Sequence, residues 1–164
     1  MHHVPDEIKN TNGKALGRVP SGVYIITATH GGQSSAMLAS WVQQAAFAPP
    51  AITVAIAPDR PIARVIQQSK QFAVSIIPET DTTLMKRYAR GLKVDEDPFA
   101  GLKTLATPSG QTVFAEAVAW LDCQLLQRCG FNADHELFIA EVTAGHLLAD
   151  GKSFTHQRGN GFHY

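Results

Sequence analysis

Hydrophobic and polar positions along the first third of the chain alternate in short runs that are typical of β-strands. Residues 22–29 (GVYIITAT) are rich in β-branched and aromatic side chains and predict a strand. Gly31-Gly32 supplies the positive φ angles that a hairpin turn needs, and Ser34–Trp41 is the expected return strand. Ala51–Ala57 (AITVAIA) predicts a third strand that is apolar on both faces, so we expect both faces to be covered.

The stretch Ala36–Ala57 combines a small-residue strand, a polar turn, a Pro-Pro break and the apolar third strand. Taken alone, this pattern fits two structures. It describes either two core strands joined by a loop or a wall of small residues that a flat ligand can approach closely.

Two short helices follow the third strand. Asp59 is placed to cap the first helix and Pro61 lies in its first turn. Asp81 is placed to cap the second helix. The predicted apolar sides are Ile62, Val65 and Ile66 in the first helix and Leu84, Met85 and Tyr88 in the second. Gln71–Ile77 between them predicts a strand.

The rest of the chain is mostly strand-like. Residues 1–20 predict an arm or a short helix that ends by Pro20. The segments after the second helix are a polar loop at Arg90–Gly101, long strands at Val113–Gln127 and Glu136–Leu148, and a short strand or tail at Phe154–Tyr164.

Six or more strands with only short helices predict a mainly β fold, a β-barrel with a few short helices. Long strands twist, and closure of the twisted sheet removes its vulnerable edges. A parallel α/β sheet would need long helices between most strands. The sequence also lacks GxGxxG after the first strand and GxxxxGK[ST], which disfavours a Rossmann or P-loop nucleotide site.

Length and composition narrow the class further. At 164 residues we expect a single domain spanning 1–164, with residues 1–14 as a flexible arm. The 14 basic and 14 acidic residues balance, so we expect no nucleic-acid partner and no attraction to an anionic membrane. With no long apolar run and no secretory segment at the N-terminus, the expected location is the cytoplasm. Cys123 and Cys129 are not in CxxC spacing and the seven histidines are scattered, so no metal site is expected.

Four segments, taken in order, carry a family resemblance. They are Val19–Thr27 (VPSGVYIIT), Met37–Trp41 continuing to Phe47-Ala-Pro-Pro, Asp134-His135 before a strand ending in Glu-Val, and His156-Gln-Arg. Each motif alone is unspecific. Their order and spacing over roughly residues 15–164 resemble the flavin-reductase-like, FMN-binding split-barrel family.

The sequence around Ser40-Trp41 and the Pro-Pro pair is especially similar to the flavin reductase module of some cyanobacterial flavodiiron proteins. The sequence shows no diiron or flavodoxin-like domain, so we expect the chain to act alone or with such a partner in trans. Three positions depart from the family pattern. Ala133 stands where Gly is frequent, and Leu38 and Ala39 replace frequent hydroxyl residues.

The resemblance implies roles for particular residues. His135 is expected near the reactive face of the flavin as the catalytic residue, with Asp134 shaping its turn. The residues expected to line the flavin ring and ribityl chain are Met37, Leu38, Ala39, Ser40 and Trp41. The residues expected at phosphate groups are Ala55, Ile56, Ala57 and Arg60 for the flavin, and His156 and Arg158 for either nucleotide.

Each of these roles has a plainer alternative. Trp41 is equally compatible with a core aromatic, and Arg60 with a solvated surface arginine. His135 could cap its turn by hydrogen bonding, and the side chains of His156 and Arg158 could be solvated.

The activity implied by the resemblance is hydride transfer from NADH or NADPH to FMN, with FAD as the second cofactor candidate. Electrons then pass to free flavin, iron, oxygen or a partner protein. Family members are typically homodimers, so the resemblance implies that this chain forms a homodimer. The alternative is a non-enzymatic FMN-binding module for electron transfer or sensing, and a third possibility is a split barrel without a cofactor.

Overall fold

The structure of the protein is a computed structural model that describes residues 4–81, 83–93 and 95–163. Its helices are α1 (Asp6–Leu16), α2 (Pro61–Ser69) and α3 (Thr83–Ala89). Its strands are β1 (Ser21–Gly22), β2 (Tyr24–His30), β3 (Gln33–Ala39), β4 (Val42–Phe47), β5 (Pro50–Ile56), β6 (Gln71–Ile76), β7 (Thr104–Ala106), β8 (Thr112–Phe114), β9 (Ala119–Gly130), β10 (Glu136–Leu147) and β11 (Thr155–His156).

Seven strands form one antiparallel sheet in the order β3-β2-β6-β9-β10-β5-β4. The two outer strands of this sheet, β3 and β4, are consecutive in the chain and are separated only by Ser40 and Trp41. The sheet must therefore curl until its edges meet there, which makes it a barrel. We call Ser40-Trp41 the seam. The predicted mainly β fold is confirmed.

The strand β4 corrects the sequence analysis, which predicted a polar turn in this region. Val42–Phe47 instead pairs with β5, and the turn is shorter and contains a cis peptide between Ala48 and Pro49. Most β4 side chains are exposed, so the apolar alternation that marks a half-buried strand is missing. Pairing with β5 decides its conformation.

The core has two layers, one on each face of β2 and its neighbours. Successive residues of a strand point to opposite faces. Ile26 faces the first buried cluster together with β5, β10 and the apolar side of α2, whereas Ile25 faces a second cluster with Leu84 and Tyr88 of α3. One face of β5 is buried in the first cluster, but Thr53 and Ala55 on the other face are only half-buried, so the prediction that both faces are covered is correct for one face only. The apolar sides of both helices are the predicted ones.

The predicted start signals of the two helices have different outcomes. The Asp81 carboxylate accepts hydrogen bonds from the main-chain N–H groups of Thr83, Leu84 and Met85, so its capping role is confirmed. Asp59 is wrong as the cap of α2. The N-cap residue is Arg60, which makes no side-chain capping bond, and Pro61 opens the helix as predicted.

The later strands follow the prediction in part. Gly31 and Gly32 both have positive φ at the β2–β3 turn, as expected. Glu136–Leu147 is a single long strand, but the predicted strand Val113–Gln127 is divided into β8 and β9. The break lies where Ala117 donates a main-chain hydrogen bond to Phe114, which turns the chain from the short β7–β8 sheet into the barrel.

The N-terminal segment is helical over Asp6–Leu16, so α1 passes through residue 14, where the predicted arm was expected to end. Residues 1–3 of that arm and Tyr164 of the predicted tail lie outside the described residues. In the described part of the chain, no helix combines the length and the apolar character needed to cross a membrane.

Candidate functional site

Three strand ends converge at the seam. The Trp41 carbonyl accepts a hydrogen bond of 3.0 Å from the Ala55 main-chain N–H, which continues the β4–β5 ladder to the seam. Ala55 in turn lies opposite Leu137 of β10. His135 directly precedes β10, so strand register brings it to the place where β4 begins and β5 ends.

The side chains gathered there form one cluster, which we call the site cluster: Trp41, Asp134, His135 and Arg158. The Trp41 and His135 rings meet edge to face, with centroids 4.8 Å apart and planes at 60°. The Arg158 guanidinium lies over the Trp41 ring at 5.4 Å from its centre. Residues far apart in the sequence therefore share one aromatic platform, with a cation on its face.

The imidazole of His135 is oriented by its neighbour. Its Nδ1 lies 3.0 Å from Asp134 Oδ1. Since an ionised carboxylate only accepts hydrogen bonds, Nδ1 carries the proton in this contact. Nε2 is then the ring nitrogen left to accept a hydrogen bond. The His135 side chain is 19% exposed and Asp134 is 86% exposed, so the pair lies at the surface of the barrel.

The seam also holds a hydroxyl with an unmet hydrogen-bond requirement. Ser40 Oγ is inaccessible to solvent and has no partner among the described residues. Buried hydroxyl groups in proteins are nearly always bonded. A polar ligand at the seam would supply the partner, so this atom fits a bound group with donors and acceptors at its edge.

The other predicted flavin-lining residues pack into or against the two core clusters. Ala39 is buried in the first core cluster and Met37 packs against that cluster, whereas Leu38 packs against the second. Ile56 is fully buried in the core, so its side chain has no access to the seam, while Ala55 and Ala57 are half-buried beside it.

The predicted phosphate end lies where β5 runs into α2. Arg60 is exposed, and its main-chain N–H bonds to the Ala57 carbonyl at 3.1 Å. This bond holds the nine-residue helix α2, which opens at Pro61, close to the end of β5. A helix N-terminus beside an arginine has the charge and the donors that a phosphate requires.

The two predicted tail residues behave differently. His156 belongs to β11 and lies opposite Ser21 of β1, half-buried. Arg158, two residues later, is the one that joins the site cluster.

An ion pair next to His135 was not predicted from the sequence. Arg128 Nε contacts Glu136 Oε2, and the same guanidinium lies 5.2 Å from the centre of the Phe138 ring. This pair anchors the first residue of β10. The signal was present in the sequence, because a hairpin between the two long strands places these opposite charges diagonally.

Two other features lie outside this site. A surface cleft after α3 is lined by Arg90, Lys93, Asp95 and Glu96 and contains none of the predicted site residues. Among the described residues, no three His, Cys, Asp or Glu side chains are grouped so that they could hold a metal ion.

Comparison with known proteins matches residues 16–162 to the model of the flavin reductase like domain. Diflavin flavoprotein A 1 of Synechocystis sp. is 39% identical over 153 residues, which are 92% of this chain and 26% of the relative. A putative diflavin flavoprotein A 5 of Nostoc sp. is 38% identical over 98% of this chain and 28% of the relative. The chain thus spans about a quarter of the length of these relatives.

Solved structures share the fold. The NADH:FAD oxidoreductase SgcE6 of Streptomyces globisporus superposes with a TM-score of 0.84 at 20% identity, covering 97% of this chain and 95% of that one. Flavin reductase PheA2 gives a TM-score of 0.79 at 26% identity and covers 95% of both chains. The SgcE6 protein has also been solved in complex with NAD and FAD fragments.

Proposed function

The chain belongs to the flavin reductase-like domain family, and on that premise we propose that it binds FMN and transfers a hydride to it from NADH or NADPH. FAD is the second candidate cofactor, because the SgcE6 neighbour is named for FAD. The proposed site is the seam of the barrel together with the site cluster.

One observation carries this proposal. The sequence analysis selected Trp41, Asp134, His135 and Arg158 separately, and the fold brings them into one contact network. Ser40 Oγ, which has no hydrogen-bond partner in the described part of the chain, lies next to Trp41 in the sequence. A platform of aromatic rings, a cation and an unmet hydroxyl is the set of groups expected at a site for a planar, anionic nucleotide.

Each residue then has a definite task. Trp41 supplies apolar area at the seam, and Arg158 supplies positive charge over its ring. Ser40 Oγ offers a hydrogen bond at the edge of the bound group, and Ala55 and Ala57 supply small side chains beside it. Arg60 and the N-terminus of α2 face the phosphate end.

His135 is proposed to orient the nicotinamide and to hold or release a proton at Nε2, with Asp134 fixing the ring through Nδ1. When bound, the flavin supplies the hydride-accepting chemistry, which explains why a nucleophile and a paired acid and base are unnecessary. The packed barrel below the seam keeps water away from one side of the site.

The chain's relatives favour a protein as the electron acceptor. The diflavin flavoproteins are about four times as long as the matching segment, so in them this domain is joined to other parts of a longer chain. The same observation supports the second candidate, an FMN-binding module that relays electrons without oxidising NAD(P)H itself.

Two measurements separate these functions. Mass spectrometry of whatever co-purifies, with fluorescence quenching of added FMN and FAD, tests flavin binding. Anaerobic oxidation of NADH and NADPH, with and without added flavin, then tests hydride transfer. We expect FMN binding and flavin-dependent oxidation. Flavin binding without oxidation of NADH or NADPH would support the relay module. A protein that binds neither FMN nor FAD would contradict both functions.

A further inference from the structure

The N-terminal helix α1 is unusual because it buries almost none of its own side chains. Among its residues only Gly13 is buried, and Gly17, directly after the helix, is buried as well. A short polar helix is marginal by itself, and a glycine within it weakens it further. Contacts from elsewhere in the chain must therefore hold α1 in place.

Those contacts come from the C-terminal tail. The Arg158 N–H donates to the Gly17 carbonyl at 3.1 Å, and the Gly161 N–H donates to the Gly13 carbonyl at 2.6 Å. Asn160 Nδ2 donates to the Lys9 carbonyl at 2.9 Å. The Gly17 carbonyl lies past the end of the helix, where no further helical turn supplies a donor, and the Gly13 carbonyl accepts the tail N–H in addition to the Gly17 N–H at 2.9 Å. We call these three hydrogen bonds the helix–tail clasp.

The clasp depends on a close approach of two backbones. A Cβ atom built on Gly17 would lie 2.6 Å from the Arg158 carbonyl oxygen, and one built on Gly161 would collide with Leu16 Cβ. Neither distance can be tolerated without a shift of the backbone. Glycine at both positions lets the tail lie directly on the end of the helix.

The clasp leads directly to the site cluster. Arg158 is held by its main chain at Gly17, and its Nη1 donates a hydrogen bond of 3.1 Å to the Gly161 carbonyl. Its guanidinium then lies over Trp41, which contacts His135. A continuous series of contacts thus joins α1 to the proposed catalytic residue.

We propose that the helix–tail clasp is the device that positions Arg158 over Trp41, with Gly17 and Asn160 as positioning residues for a phosphate-bearing nucleotide. The consequence for nucleotide binding rests on the proposed function. The position of Arg158 over Trp41 does not depend on that function. The helix α1 then belongs to the structure that supports the site.

The test compares alanine substitutions at two glycines, one packed against the tail backbone and one with open space around it. Gly17→Ala places a methyl group against the Arg158 backbone, whereas Gly159→Ala has no heavy atom within 4 Å and serves as the matched control. Both are made with Trp120→Phe, which leaves Trp41 as the one tryptophan of the two in the sequence. Arg158→Ala in the same background gives the emission of Trp41 without its cation.

We expect Gly17→Ala to shift the fluorescence emission of Trp41 to that seen in Arg158→Ala, and to weaken FMN binding roughly threefold to tenfold. Gly159→Ala should leave both the emission and the affinity unchanged. Combined with Arg158→Ala, Gly17→Ala should add no further loss of affinity, because both act on the same contact. A merely structural role would instead give additive losses.

The proposal would be overturned if Gly17→Ala had the same Trp41 emission and FMN affinity as Gly159→Ala. It would also be overturned if the affinity losses of Gly17→Ala and Arg158→Ala were additive in the combined variant. If Gly17→Ala does not fold, Asn160→Ala serves instead, because it removes one hydrogen bond of the clasp without a steric collision. We then expect the same shift in Trp41 emission and the same loss of FMN affinity, each smaller in size. Should the parent protein bind no nucleotide, the proposed function fails, while the emission comparison still decides whether the clasp positions Arg158.

Discussion

Two polar clusters lie toward opposite ends of β10, and they are built differently. The site cluster lies just before Glu136, where β10 begins. The other cluster, which we call the Asp122 cluster, lies beside Ala144, the residue paired with Asp122. Its members are Asp122, Ser109, Thr107, Gln111 and Thr29.

In the Asp122 cluster the buried polar groups have partners within the chain. Both oxygens of Asp122, which is 1% exposed, accept hydrogen bonds from Ser109, at 2.8 Å from its N–H and 2.6 Å from its hydroxyl. The Gln111 side chain accepts from the Thr29 N–H at 2.7 Å. These bonds fasten the β7–β8 turn to the barrel.

At the seam, by contrast, Ser40 Oγ is buried without a partner among the described residues, and the guanidinium of the half-buried Arg158 lies over the Trp41 ring. Buried polar groups therefore serve two different roles in this protein. A satisfied cluster stabilises the fold, whereas an unsatisfied group beside aromatic rings is available to a ligand.

The largest expected effect comes from breaking the satisfied cluster. Asp122→Ala leaves the Ser109 N–H and hydroxyl without their acceptor, so we expect the free energy of unfolding to fall by about 3 kcal/mol. Urea denaturation measures this. The exposed Asp150→Ala is the control and should change stability by less than about 0.5 kcal/mol. Equal effects of the two variants would contradict a structural role for Asp122.

The aromatic platform gives the next largest effect, and it acts on binding rather than stability. Trp41→Leu should weaken FMN binding roughly tenfold, because both stacking area and the Arg158 contact are lost. Trp120→Leu is the matched control, since Trp120 also lies near a histidine, with ring centroids 6.2 Å apart from His146. Isothermal titration measures both, and a similar loss of affinity in the two variants would remove Trp41 from the site.

Two serines sharpen the comparison at the level of single hydroxyls. Ser34 Oγ is bonded to Thr29 Oγ1 at 2.8 Å, so Ser34→Ala should lower the free energy of unfolding by about 1 kcal/mol. Ser40→Ala removes a buried hydroxyl that has no partner among the residues the structure describes, so the flavin-free protein should keep its stability or gain slightly, while FMN binding weakens roughly fivefold. Destabilisation of the flavin-free protein by Ser40→Ala would show that its hydroxyl is already paired.

The smallest effect concerns a surface ion pair that belongs to neither cluster. Hydrogen bonds from Arg90 lower the pKa of Glu96 to about 2, and the Lys93 N–H adds to this. A lowered pKa stabilises the folded state above the ordinary value of 4.5, and this stabilisation is lost as the pH falls toward 2. Glu96→Gln should therefore be slightly less stable at pH 7 in thermal melts, with the difference shrinking between pH 4.5 and 2. A difference that grows over this range would reverse the sign of the linkage.

The sequence predicted those parts of the fold that local pattern determines. Dense β-branched runs identified β2, β5 and β6, and the Asp81 cap was readable because its side chain bonds to the next turn. β4 was missed because an exposed strand carries no alternation, and its conformation depends on pairing with β5. Pairing of this kind is a property of the tertiary structure.

The candidate site was predictable in its residue types and only partly in its geometry. Trp41, His135 and Arg158 were each selected, but their contact depends on barrel closure, which no local pattern contains. The proposed positioning role of Gly17 could not be predicted either. A glycine directly after a helix is common at helix ends, and its contact with the tail depends on the tertiary structure.

The most direct test of the site is the rate of hydride transfer in a single turnover. FMN-loaded protein is mixed anaerobically with NADH or NADPH and the loss of flavin absorbance is followed. His135→Ala should slow the transfer roughly 100-fold while FMN affinity stays within about threefold, and the matched His146→Ala should leave the rate unchanged. Equal transfer rates in the wild type and His135→Ala would contradict the assignment of the site cluster as the catalytic centre.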